Sequence, residues 1–373
     1  MTKKNEFSEL IRHFPENGVK WLLHHHANVR DSLRLATADR PDFPRLDCFD
    51  FEKMTIEPTT FIREDFRHAI SDLLVKIPFR EETDPPSTID VYFLIEHLSE
   101  HSRPFVFQAL DYVVDAYREQ KRAWIREHGD THRLAFDPVV PVVLHTGLKP
   151  WRKMTPMVEL VRGGQRFRSL IPTVSPLFLS LPSKSGADLS KDGGALGEIL
   201  RLLKDRDGLP KDFRALLAAV VRALESHLID DDRNRLLDLL RYAMALVYHY
   251  RKRSEGDGLR QVVEDTVRTT SIQKEVGVMG QTIREAILEE GERIGERIGE
   301  RRGEKIGERR GEKKGLVTGK QETLLLQLRR RFGKQVTPRV VKLVQSTENI
   351  SRLDAWSEKI LDAKTLQDVG LDA

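Results

Sequence analysis

The sequence predicts an α/β fold: a mixed sheet flanked by helices, followed by an α-helical region and a small helical carboxy-terminal module. Three observations carry this expectation. Between about residues 52 and 147 short apolar runs alternate with turn-forming clusters, the signature of strands. One long stripe at helical spacing interrupts them, so the order strand, strand, helix, strand implies a mixed sheet with a packed helix. From about residue 196 onward the apolar positions repeat at three and four residues, which places them on helices.

The elements follow in chain order. Residues 7–36 read as helical, with Phe7, Leu10, Ile11 and Phe14 and then Val19, Trp21 and Leu22 as apolar positions, interrupted by Pro15 and Gly18. The runs "TTFIRE", "SDLLVKIPF", "DVYFLIEH" and "DPVVPVVLHTG" are strands. Between the second and third lies "EETDPPST", whose acids and paired prolines mark a loop and so an antiparallel hairpin. "RPFVFQALDYVVDAYREQKRAWIRE" carries Phe105, Ala109, Leu110, Val113, Val114 and Tyr117 at helical spacing, with Pro104 suited to a first turn. Residues 151–195, rich in Pro, Gly and Ser, are expected to be an irregular connection with short elements, and 196–290 a helical subdomain.

Residues 291–315, "GERIGERIGERRGEKIGERRGEKKG", repeat with glycine at every fourth position. Each such glycine costs a helix roughly 1 kcal/mol relative to alanine. Pairs such as Arg293 with Glu296 recover only about 0.2–0.5 kcal/mol, so intrinsic helicity is expected to be marginal. If helical, a period of four drifts about 40° per repeat and favours right-handed association. Three roles stay open: a variable-length spacer, a DNA-tracking arm, or a self-association helix. In residues 316–373, Gly333 is a natural C-cap, Thr337 an N-cap and Pro338 a first-turn residue, while Leu353, Trp356, Ile360 and Leu366 supply an apolar face that needs covering.

With 373 residues, 39% of them hydrophobic, the chain can bury a substantial core. Cys48 is the only cysteine, which excludes an internal disulfide framework and a cysteine-based zinc site and fits a reducing compartment. The first residues lack the apolar stretch of a signal peptide, and no run approaches the ~18 apolar residues of a membrane span. A soluble protein of the prokaryotic cytosol or nucleoid, without membrane association, is the expectation. Net charge is +4, and the repeat contributes nine basic residues against six glutamates, +3, so by this count most of the excess is expected in that one segment.

The chemistry rests on two acids. Asp72 opens "DLLVKIPF" and Glu96 closes "VYFLIEH", and antiparallel pairing brings both to one sheet edge. Paired carboxylates there can hold Mg²⁺ or Mn²⁺ while leaving positions for water and a phosphate oxygen. The main-chain carbonyl of His97 could complete the shell, and both acids could equally be surface strand caps. "REDFRHAISDLLVKIPFR", "YFLIEHLSE", the helix with "FQALDY" and "VVPVVLHTG" together resemble the recombination-promoting nucleases, also called YhgA-like transposases, of the PD-(D/E)xK nuclease superfamily. The resemblance covers residues 7–150 well, extends more loosely to about 290 and includes the Gly-Glu-Arg repeats. Residues 320–371 resemble a small helical domain often appended to these proteins.

This resemblance implies a PD-(D/E)xK-like core over residues 1–150, DNA as partner, and a metal-dependent DNA endonuclease in which Asp72 and Glu96 bind Mg²⁺ or Mn²⁺. Glu16 would match an acid on the first helix. The sequence departs from the family two residues beyond the strand glutamate, where Lys or Gln is replaced by Leu98. It departs again on the helix, where Gln108 and Asp111 stand in place of arginine. Lys76, four residues past Asp72 on the same strand face, is a candidate substitute, and His97 a candidate base or metal ligand. The alternative is a catalytically degenerate protein that binds DNA or self-associates as a regulator or scaffold, with homo-oligomerisation through the repeat and carboxy-terminal helices, residues 277–373. "HHH" at 24–26 reads as a polar helix end, Gly147 of "HTG" as a backbone requirement, and Trp151 as packing. Walker, GxSxG and dinucleotide motifs are absent from the sequence.

Overall fold

The computed structural model describes residues 14, 16–58, 60–62, 68–70, 72–83 and 85–371. Phe7, Leu10 and Ile11 lie outside these, as does the side chain of Glu16. The chain divides into two units between Glu289 and Glu290.

The first unit is built on a five-stranded sheet of order β1 (Thr55–Glu57), β4 (Leu73–Glu81), β5 (Ser87–Leu98), β6 (Val139–His145) and β7 (Leu177–Ser180). β4 pairs antiparallel with both β1 and β5, whereas β5, β6 and β7 run parallel. The mixed sheet expected from the sequence is therefore present, with the proline-bearing loop closing the β4–β5 hairpin. A separate two-stranded pair joins β2 (Thr60–Ile62) to β3 (His68–Ile70).

Both faces of β5 are covered, and that explains its continuous apolar run in place of an alternating one. Val91, Phe93 and Ile95 face a large core that also takes in Val142 and Leu177 of the neighbouring strands. Helices α1 (Glu16–Leu22) and α2 (His26–Thr37) and those between residues 186 and 283 close this face. Tyr92, Leu94 and Leu98 point the other way, towards α3 (Phe105–His128). A left-handed Gly129 ends α3, its N–H returning to the Ile125 carbonyl.

Two expectations change. Residues 151–195 are not merely a connection, because "LFLS" within them forms β7 and completes the sheet. The helices of 196–283 bury their stripes in the same core as the sheet, which runs from Phe14 to Ile283. Buried Arg235 fixes one of these helices to α2 by donating Nε to Asn28 Oδ1 at 2.9 Å and pairing with Asp31.

In the second unit the repeat lies within a helix spanning Thr270–Phe332, and every described side chain of residues 291–315 is exposed. Beyond it, Val317, Leu324, Leu328, Leu353, Trp356 and Val369 belong to a separate small core, so the carboxy-terminal module covers much of its own apolar face. Thr337 caps the helix Pro338–Gln345 by accepting from the Val340 N–H, and Gly333 adopts a φ of 54° just past Phe332.

Candidate active site

Asp72 sits immediately before β4, where the register Leu73↔Ile95 brings it beside Glu96 at the carboxyl end of β5. The two acids clasp one another through the main chain. The Asp72 N–H donates to Glu96 Oε1 at 3.0 Å, and the His97 N–H donates to Asp72 Oδ2 at 2.8 Å. The side chain of Glu96 is buried, and Asp72 is half-buried. Burial, followed by the neighbouring Asp72 charge, pushes the Glu96 carboxyl up to about 8, against smaller lowering contributions from the Asp72 N–H and Lys20.

Lys20 is the residue that sequence reading missed. It lies on α1, and its Nζ stands 2.7 Å from Asp72 Oδ1, placing one cation at the two-carboxylate edge. Its signal in the sequence was slight: a lysine between the apolar positions Val19 and Trp21, with nothing local to connect it to residue 72.

Lys76 does not join this group. It is in register with Tyr92, roughly 13 Å along the strand from Asp72, and pairs with Asp90 at 3.5 Å. The His97 imidazole is not beside Glu96 either, because successive strand residues project to opposite faces. Its Nε2 bonds to Thr146 Oγ1 at 2.7 Å, and Nδ1 is buried without a partner among the described residues. Burial lowers its pKa to about 4, so the ring is neutral. Only the His97 main chain reaches the acids, and the expectation of an imidazole ligand is corrected accordingly. Among the described residues, no three His, Cys, Asp or Glu side chains are placed to hold a metal ion together.

The remaining candidates settle into structural roles. Gln108 donates to the Tyr112 hydroxyl at 2.7 Å. His24, His25 and His26 turn to the Lys20 carbonyl, Asp232 and Glu52 respectively. A Cβ on Gly147 would stand 2.3 Å from the Ser99 carbonyl oxygen, so this close approach requires glycine. Trp151 is buried against His145 and Phe178. Leu98 belongs to the same apolar cluster as Trp151, Phe105 and Val143.

Fold and site thus define an α/β protein with two interlocked carboxylates at the edge of a mixed sheet. Residues 20–186 match the family described as "Putative transposase, YhgA-like". The matched span takes in Lys20, Asp72, Glu96 and all five strands of the main sheet. No curated protein and no solved structure matches the chain. No helix among the described residues is long and apolar enough to cross a membrane.

Proposed function

We propose that the protein hydrolyses phosphodiester bonds of DNA, with Asp72 and Glu96 holding Mg²⁺ or Mn²⁺. The observation supporting this most directly is the clasp itself: two carboxylates held together by main-chain N–H groups at one sheet edge, with Lys20 as a nearby cation. Hard oxygen donors in that arrangement suit a hard divalent ion, with water and phosphate oxygens filling the remaining positions. When bound, such an ion supplies Lewis acidity towards the phosphate and makes a coordinated water more acidic.

The chain's own residues supply the rest. Asp72, and Glu96 once its proton is displaced, would hold the ion, and the His97 N–H orients Asp72. Lys20 offsets the carboxylates while no divalent ion is present. Burial, and then the Asp72 charge, keeps Glu96 protonated below about pH 8, so an incoming cation would displace that proton and should bind more tightly as pH rises towards 8.

Cleavage of supercoiled DNA with Mg²⁺ or Mn²⁺ tests the reading. Asp72→Ala and Glu96→Ala should each lower the rate by about 10³-fold or more, on the scale of losing a major charge-stabilising group. Lys20→Gln removes the competing ammonium and should tighten Mn²⁺ binding about tenfold, equivalent to about 1.4 kcal/mol, measured by calorimetry without DNA. A second reading, a degenerate nuclease fold acting by DNA binding or assembly, draws its support from Leu98, whose apolar side chain can neither position nor activate water. A wild-type chain that binds no Mn²⁺ and cuts no form of DNA would favour it.

A further inference from the structure

A local charge excess larger than that of the Gly-Glu-Arg repeat lies within the first unit, close to the sheet. Residues 148–170 contain Lys149, Arg152, Lys153, Arg162, Arg166 and Arg168 against Glu159 alone, a net +5 in a chain whose total is +4. The remainder of the protein is therefore slightly negative. All six cations are exposed, and none meets an acidic side chain within 4.0 Å among the described residues. Phe167 and Leu170 are exposed among them, 56% and 79% respectively.

This segment is anchored beside the acids. β5 and β6 are parallel, with Glu96 in register with Val143 and Leu98 with His145, so both strands end at one edge. The chain leaves β6 there and is pinned by Trp151, whose main-chain N–H donates to Ser180 Oγ at 3.3 Å and whose indole N–H donates to the Lys153 carbonyl at 2.9 Å. Trp151 packs in the cluster containing Val143 and Leu98, the register partner of Glu96 and its same-face neighbour. Gly163, at a φ of 71°, and Gly164, where a Cβ would stand 2.1 Å from the Val158 carbonyl oxygen, build the turn presenting Arg162, Arg166 and Arg168.

We infer that residues 149–168 form the surface on which the phosphate backbone of duplex DNA lies as it approaches Asp72 and Glu96. The identity of the polyanion rests on the nuclease reading; the surface rests on six exposed cations, without an ion pair among the described residues, beside the same sheet edge. Binding of this kind is sequence-independent and steeply salt-dependent, because each neutralised phosphate releases counterions.

The test measures binding of a short labelled duplex to the full chain without divalent metal. Arg162→Gln, Arg166→Gln and Arg168→Gln combined should weaken binding on the order of a hundredfold at about 0.1 M salt and flatten the slope of log affinity against log salt by roughly 3. The corresponding triple Arg→Lys variant should retain most of the affinity, which separates lost charge from lost folding. Unchanged affinity and slope in the glutamine variant would overturn the inference. So would phosphatidylglycerol vesicles that bind the wild type as tightly as DNA does. Duplex bound through these arginines but left uncut with every divalent ion would sink the nuclease reading while supporting the surface. Cleavage at unchanged rate and substrate affinity in the glutamine variant would do the reverse.

Discussion

The sheet edge and the repeat helix are both crowded with charge, yet they use it differently. Along residues 291–315 each glutamate has basic residues close by in a repeating pattern, and the described side chains are uniformly exposed. At the edge, two acids share Lys20, and six cations on the adjoining segment make no ion pair among the described residues. Charge interspersed with its opposite mainly maintains solubility; charge left uncompensated in a fixed place favours a ligand of opposite sign. Net charge over a window cannot tell these apart, whereas the distribution of partners can.

The largest effect expected from this contrast comes from equal changes of charge in the two regions. Neutralising Arg162, Arg166 and Arg168 should cost about a hundredfold in duplex affinity. Neutralising Arg293, Arg297 and Arg301 removes the same charge but leaves it interspersed with glutamates, and should change affinity by less than about threefold at the same salt. Equal losses would mean that bulk charge governs binding and that the structural distinction has no functional weight.

The buried Glu96 should also make stability depend on pH. Glu96 titrates near 8 in the folded chain against an ordinary value of 4.5, so its contribution is fully present at low pH and is lost as pH rises through about 8. His97, lowered to about 4 from 6.5, acts in the opposite direction: its contribution is lost as pH falls below 6.5. The two oppose each other between about 4.5 and 6.5, which leaves the Glu96 effect exposed between 6.5 and 8. Over that interval wild-type stability should fall with rising pH by up to roughly 1.4 kcal/mol per pH unit. Urea denaturation of Glu96→Gln should show that limb flattened. An unchanged limb would mean that Glu96 ionises normally and that Lys20 compensates the pair.

How much of this could be read from the chain depended on sequence distance. The β4–β5 hairpin was legible because apolar runs and an acid- and proline-rich loop are adjacent signals. Asp72 and Glu96 followed from it, as acids at opposite ends of two antiparallel strands. Lys20 was not legible, since a helix's period says which face is buried and nothing about which distant strand end it meets. Lys76 looked suitable by strand alternation, but sharing a face does not overcome roughly 13 Å of separation along the strand. β7 was missed because four residues, "LFLS", are too few to distinguish from loop until parallel pairing with β6 satisfies their backbone. The basic segment was overlooked because its cations are scattered among Met, Val and Leu, while the periodic repeat drew the count.

Glycine offers the finest test of the comparison, because the same substitution should have opposite signs in the two regions. At Gly303 a Cβ would meet nothing within 4 Å, and alanine should strengthen the local helix by roughly 1 kcal/mol, seen as about fivefold slower amide exchange nearby. At Gly164 the added carbon would collide with the Val158 carbonyl oxygen, and relieving that overlap should cost about 1–3 kcal/mol. The displaced turn carries Arg162, Arg166 and Arg168, so Gly164→Ala should weaken duplex binding although it removes no charge. If Gly164→Ala is destabilised but binds DNA as wild type does, the arginines act as a diffuse cloud and need no built turn. If affinity falls while Gly303→Ala leaves it unchanged, the position of the cations matters as well as their number.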